Sequence, residues 1–548
     1  MAMMHSRELD LREELQRSLF RAVVGSDVLK AFGSTFRQET PVDDDVSFAV
    51  SEVDIFVSHS WSSDSWAKYF ALCRELNLHK ALESLSVLLV LFFPLFPLRG
   101  IDPKTGFDAE TTLFVAVCWL SAMGVYLAVL FFGQHLHIGV SGPRNPTLWV
   151  DKLCIHQGDA GQKAAGIRAL PFFVTQSSKF LMLYDGSYLD RLWCVVELAT
   201  FVNSSSCEHV CFVPLWLPRW LFTTMLLDIL QGCICIAALL ASCAPSPQKL
   251  SPLASDRSLN HFLNNLLLVV VLLPGYIVVL VPSMWALGRK AQGHEEMLRQ
   301  FAAFDIRNCK CSDESDRQPL QALVAGLFTE DDVASVSIEV AGSISDSSES
   351  TTSVSEEWHG SYRSLVRCGS LSADEGPDPG PLSQEPRKEG SGSDSGLEAF
   401  NAYVRGPLRQ ALMDKLGDET FLSFRTCFVA FLPGSSFFLL NTLAVDGAHS
   451  AAFDFPHSPE KWILCLVEAA IMNLTVTPLL LPNLLYLTHK VYISVRPGCL
   501  QSLLTLVGGF VVSTLVIFLG FAALGALEAV VLTHSFRFFP NQGSSELC

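Results

Sequence analysis

Lys179 to Phe201 reads KFLMLYDGSYLDRLWCVVELATF. Phe180 to Tyr184 is an apolar run of strand length. Asp185-Gly186 breaks it, as that pair does in turns. Ser187 stands three residues before Asp190, the spacing of a capping box, and predicts a helix start there. Leu189, Leu192, Trp193, Val196 and Thr200 then recur at helical spacing. At about 100° per residue, Glu197 falls only about 40° from Trp193. Its carboxylate therefore stands at the margin of the buried face. There it either lines a cleft or is a surface group beside a core tryptophan.

Two further segments read as strands that end in polar groups. Val53 to Ser60 is VDIFVSHS, followed by Trp61-Ser62-Ser63-Asp64, and Leu148 to Gln157 is LWVDKLCIHQ. At this point the chain resembles the TIR-domain superfamily. Asp54-Ile55-Phe56-Val57-Ser58 matches the family's first strand, Ser177 to Leu183 a later one, and Trp193-Cys194-Val195-Val196-Glu197-Leu198 its WCxxE helix. The matching blocks are roughly 50–80 and 147–203, and their specificity lies in the order of the three motifs. WVDKLCIHQ also resembles a strand of the related heterokaryon-incompatibility (HET) domain.

The resemblance implies an α/β TIR-like domain with a flavodoxin-like parallel sheet. Many TIR domains cleave the nicotinamide–ribose bond of NAD, and others only self-associate. By position, Glu197 is then the catalytic carboxylate. Ser58, Ser60, Trp61, Asp64 and Trp193 are the residues expected to hold NAD, with Trp61 as a stacking face. NAD is the expected substrate, and no metal is expected. Nicotinamide leaves as a neutral molecule from a cationic pyridinium, so no acid is needed to protonate it. A fixed negative charge beside the oxocarbenium-like ribose suffices, provided water is excluded. The chain departs from the family at Tyr184-Asp185, where a serine is common, and at Arg191, where many relatives have small residues.

Half of the 548 residues are hydrophobic and only 17% are charged, below the roughly 25% of soluble domains. That deficit falls in long apolar runs. The net charge of −17 argues against nucleic acid as a partner. The sixteen cysteines show no disulfide spacing and lie mostly in apolar runs, where cysteine behaves as a small hydrophobe. Cys309 and Cys311 lack a histidine at zinc-finger spacing.

The chain divides as follows. Residues 1–50 read as a cytosolic helix and loop, and 51–82 as the first TIR-like block. Residues 83–134 read as a two-span insertion. The second run, Leu113 to Gly133, is uncharged and of membrane length. The first, Leu85 to Leu98, is short and carries Pro94 and Pro97. Parity demands it nonetheless, because both TIR-like blocks must lie on one side of the membrane. Residues 145–210 form the second block, and 217–287 hold two spans. Residues 288–329 read as a cytosolic helical segment. The Ser- and acid-rich stretch 330–398 is too polar to fold alone. Residues 399–422 are a pre-membrane helix, 423–533 hold three spans and 534–548 are a tail. About seven transmembrane helices result. Arg289, Arg299, Arg307, Lys490 and Arg496 mark the cytosolic side, although Lys249 and Arg257 fall opposite. The TIR-like domain and N-terminus are therefore expected in the cytosol and the C-terminus across the membrane. Lipid and TIR–TIR self-association are the expected partners.

Other chemistry is thinner. His59 and His156 end strand-like segments and are either ordinary loop histidines or metal ligands. Asp228, Glu468 and Glu528 lie within apolar runs, where acids often mark ion or proton paths. Three readings follow: a membrane-tethered NAD hydrolase, a non-enzymatic TIR-like scaffold, and a transporter or channel regulated by the TIR-like domain.

Overall fold

The computed structural model describes residues 16–37, 46–96, 109–136, 146–156, 158–242, 257–328, 391–452, 480–495, 498 and 500–516. Six strands form one sheet: β1 (Arg21–Val24), β2 (Phe48–Ala49), β3 (Val53–His59), β4 (Thr147–Trp149), β5 (Ser177–Tyr184) and β6 (Val210–Pro214). Their order is β2-β1-β4-β3-β5-β6. β4, β3, β5 and β6 run parallel, and β1 is antiparallel to both β4 and β2. The two sequence blocks thus close into one sheet, with Ile55 opposite Lys179 and Ser58 opposite Met182. Asp54 fixes the β3–β4 register: its carboxylate accepts from the Thr147 amide and hydroxyl, each at 2.8 Å. The central strands are apolar because helices cover both faces of a parallel sheet. Phe56 stacks between Trp149 and Phe180, with ring centroids 4.5 and 5.6 Å away.

Several boundaries differ from the expectations. Part of the 1–50 segment joins the sheet as β1 and β2. The LWVDKLCIHQ strand ends at Trp149, and Asp151–Cys154 is a helical turn in which the Cys154 amide bonds to the Val150 carbonyl at 2.9 Å. The WCxxE helix does not start at Ser187. It runs over Leu192–Ser204 with Arg191 as an extended N-cap. The cause is tertiary. Backbone at Asp190 and Leu192 pairs with Lys310, at 2.5 and 3.0 Å, which holds Arg191 in β geometry.

The main helices are α1 (Ser65–Phe92), α2 (Ala109–Phe132), α3 (Leu192–Ser204), α4 (Trp216–Ser242), α5 (Arg257–Ala302), α6 (Arg317–Leu327), α7 (Ser391–Tyr403), α8 (Phe424–Ala430) and α9 (Leu432–Ala452). The helix after β3 and the first apolar run are one unbroken helix, α1, which stops just before Pro94. Inside it, Asn77 donates to the Leu130 carbonyl of α2 at 3.1 Å. α7 begins within the 330–398 stretch that is expected to be too polar to fold alone, because Phe400 buries against Phe304 and Phe328, at 5.8 and 5.0 Å.

Two apolar cores result. One surrounds the sheet; the other joins α1, α2, α4, α5, α8 and α9 around Trp119, Tyr126, Trp220 and Leu287. Among the described residues, Ala109–His135 and Trp216–Ala241 are long and apolar enough to cross a membrane. Phe424–Ala430 and Leu432–Asn441, bent by 64° where they meet, make a third if they form one span. The expected 262–287 span lies inside α5, whereas those at 462–487 and 503–532 fall partly outside the described residues.

Candidate functional site

In an open parallel sheet, the crevice lies beyond the carboxyl ends of the strands, where connections leave in opposite directions. Here that point is the end of β3, flanked by β4 and β5. The residues emerging there are Ser58, His59, Ser60 and Trp61 from β3, Asp151 after β4, and Asp185 with Ser187 after β5. Glu197 of α3 packs over them.

Ser58 is buried and donates to Glu197 Oε2 at 2.5 Å. The hydroxyl of Tyr188, which is fully buried, lies 2.6 Å from the same Ser58 oxygen. Burial raises the Tyr188 phenol far above its usual range, so it keeps its proton and donates. The result is a relay from Tyr188 to Ser58 to Glu197. Glu197 keeps partial exposure, while the residues before and after it are buried. Burial pushes its carboxyl up to about 8; the Ser58 bond opposes this and the nearby Asp151 charge adds to it.

Ser60 is fully buried and bonds to Ser62 and Ser187 hydroxyls at 2.8 and 3.0 Å. Ser187 in turn donates to Asp185 at 3.0 Å. That is what this serine does in place of capping a helix. Ser62 is exposed and Ser187 half-buried, so the network opens to solvent. Trp61 donates its indole N–H to Asp151 at 2.7 Å. Its ring already has Lys68 and Lys152 ammonium groups 5.5 and 5.7 Å from its centre.

Two expected residues stand differently. Asp64 caps α1, accepting from the Trp66 and Ala67 amides at 3.4 and 3.2 Å, and pairs with Arg219. Trp193 is half-buried against the sheet core.

The structure adds Lys68, Asp151, Asp185 and Tyr188. Lys68 on α1 is wholly buried and its Nζ has no hydrogen-bond partner. Burial pushes it down to about 8, against the pull of Asp185 and Asp151. Burial and Lys68 together push His59 down to about 3, so the imidazole is neutral and its Nε2 is unpartnered. Burial also raises the Asp151 and Asp185 carboxyls. Both aspartates directly follow strands, or nearly so, and strand-end position was the signal available for them. Lys68 carried none, since a lysine in an amphipathic helix reads as surface. His156 is exposed. Among the described residues, no three His, Cys, Asp or Glu side chains are grouped to hold a metal.

Chemically, the crevice offers one carboxyl poised near neutrality, two aspartates, one buried ammonium and an anchored indole. No family model, curated protein or solved structure matches this chain.

Proposed function

We propose that this chain is a multi-pass membrane protein whose sheet is a TIR-like signalling domain that hydrolyses the nicotinamide–ribose bond of NAD. The observation supporting this most is Glu197: its carboxyl is held by Ser58 at the end of the central strand and remains open to solvent on one side. In this reading the pyridinium end of NAD enters beside Trp61, Asp151 and Asp185. Its positive charge lowers the proton affinity of Glu197, which becomes a carboxylate. As the bond from ribose C1′ to nicotinamide nitrogen breaks, both electrons go to the nicotinamide, which leaves neutral. The carboxylate stabilises the cationic ribose in a site with little water. Water then adds at C1′ and releases a proton, giving ADP-ribose.

Seven spans, the first two being the end of α1 and α2, would place this domain and the N-terminus in the cytosol and the C-terminus opposite. Self-association through the TIR-like surface fits a signalling role. The test is nicotinamide release by detergent-solubilised full-length protein, wild type beside Glu197→Ala. Release by wild type and none by the variant supports the hydrolase. No release by either folded protein sinks it.

One observation favours a second reading. Glu197 is mostly neutral in the ligand-free fold and already engaged by Ser58. A neutral carboxyl joining β3 to α3 is also what a non-enzymatic scaffold would keep. That reading expects Glu197→Ala to leave self-association and signalling intact.

A further inference from the structure

Away from the crevice, where the sheet meets the apolar helices, a cavity of about 30 Å³ is lined by Trp216, Lys290, His294, Lys415, Ser423 and Thr426. No aspartate or glutamate lines it. Lys290 and His294, one turn apart on α5, are 2% and 1% exposed. The Lys290 ammonium donates to the Glu419 and Phe421 main-chain carbonyls at 3.1 and 2.9 Å and lies 3.4 Å from His294 Nδ1. It has no carboxylate within ion-pair distance among the described residues. The acids that might have served are turned elsewhere. Glu419 pairs with His489 at 3.6 Å, and Asp418 accepts from the Thr420 hydroxyl at 2.7 Å. Lys415 also lines the cavity, but it is exposed and its ammonium is taken up by the Glu208 and Val210 carbonyls at 2.7 Å each.

Unused donors complete the setting. With Lys290 donating to Nδ1, the His294 ring carries its hydrogen on Nε2. That atom is buried without a hydrogen-bond partner; the Gly417 carbonyl lies near the ring but outside bonding geometry. The Trp216 indole N–H is also buried and unpartnered. Burial pushes Lys290 down to about 7 against the distant pull of Asp418 and Glu419, as befits a cation without a counter-ion. Buried charge is costly unless paired, and buried donors are costly unless satisfied.

We propose that this cavity is a binding site for one small inorganic anion of chloride size. The lining supplies positive charge and surplus N–H groups but no acceptor charge. The space admits a particle of about the size of a water, and chloride is not much larger. Bound there, the ion would join α5, the 417–423 turn and the start of α4 at the boundary of the two cores.

The test is thermal unfolding of the full-length protein in detergent, with sodium chloride exchanged for sodium gluconate at constant ionic strength. The expected result is a melting temperature that rises with chloride and saturates in the millimolar range. Lys290→Met and His294→Phe should each flatten that response. If Lys290→Met fails to fold, His294→Phe and the wild-type titration still decide. Equal melting in both salts, or a rise that never saturates, overturns the site. So does a response that both variants retain in full.

Discussion

Ser58 and Glu197 are 139 residues apart in sequence and 2.5 Å apart in the fold. The bond crosses from the central strand to the helix above it, and it opposes the burial that drives Glu197 toward its neutral form. Ser58→Ala removes the donor. The Glu197 carboxyl should then hold its proton to higher pH. For nicotinamide release, we expect kcat/KM at pH 7 to fall about tenfold, with the acid limb of the pH profile displaced upward. An unshifted limb would show that Ser58 does not act through Glu197.

Glu197 also sets a pH dependence of stability. Its usual value is 4.5 and the fold raises it to about 8. Below 4.5 both folded and unfolded chains hold the proton, and the full contribution is present. Between 4.5 and 8 the unfolded chain alone releases it, so stability falls by up to about 1.4 kcal/mol per pH unit. Above 8 there is no further loss. Glu197→Gln should abolish this slope, melting higher than wild type at pH 8 and close to it at pH 5. Melting curves over that range check the sign.

Lys68 shows the converse case, a cation whose pKa falls from 10.5 to about 8. Above 10.5 both states are neutral. As pH drops from 10.5 to 8 the unfolded chain alone gains the proton, and stability is lost. Below 8 the loss is complete, of the order of 3 kcal/mol. Lys68→Met keeps the apolar stem and should stabilise the domain most below pH 8. Equal melting of variant and wild type at pH 7 would mean that the ammonium has found a partner.

Much of this was legible in sequence, for reasons specific to each residue. DIFVS and SKFLML carry strand-length apolar runs, and they pair in register as adjacent central strands. Helical phase from Trp193, which depends only on local geometry, puts Glu197 at the margin of the buried face, whereas a site role for it comes only from the TIR resemblance. Lys68 and Tyr188 escaped because their burial arises from long-range packing that no window of sequence contains. The start of α3 was misplaced for the same reason: Lys310, over a hundred residues later, holds Asp190 and Leu192. Asp64 was read as facing a ligand, yet its neighbours Trp66 and Ala67 already made it a helix cap.

At the junction of α8 and α9, the Gly434 amide donates to Asp228 of α4 at 2.6 Å. A Cβ on Gly434 would stand 2.6 Å from the other carboxylate oxygen of Asp228. Gly434→Ala should therefore turn the Asp228 carboxylate away from the 434 amide and, with that buried bond lost, cost about 1–3 kcal/mol. Combining it with Asp228→Ala should cost less than the sum of the two single changes. Additive losses in detergent melts would show that the two residues act separately.

α1 begins at the crevice, where Asp64 caps it and Lys68 faces Asp151 and Asp185, and it ends among the apolar helices. No break interrupts its 28 residues. A rod of that length spans roughly 42 Å, so a tilt of about 5° at one end carries the other through roughly 4 Å. α5 makes a second such rod: its Gln300 side chain donates to the Gly186 carbonyl at 3.1 Å, beside Ser187. The crevice is thus tied to two helices that run into the apolar layer. A tilt of either helix within the apolar layer would therefore change the spacing between Lys68 and the strand ends directly.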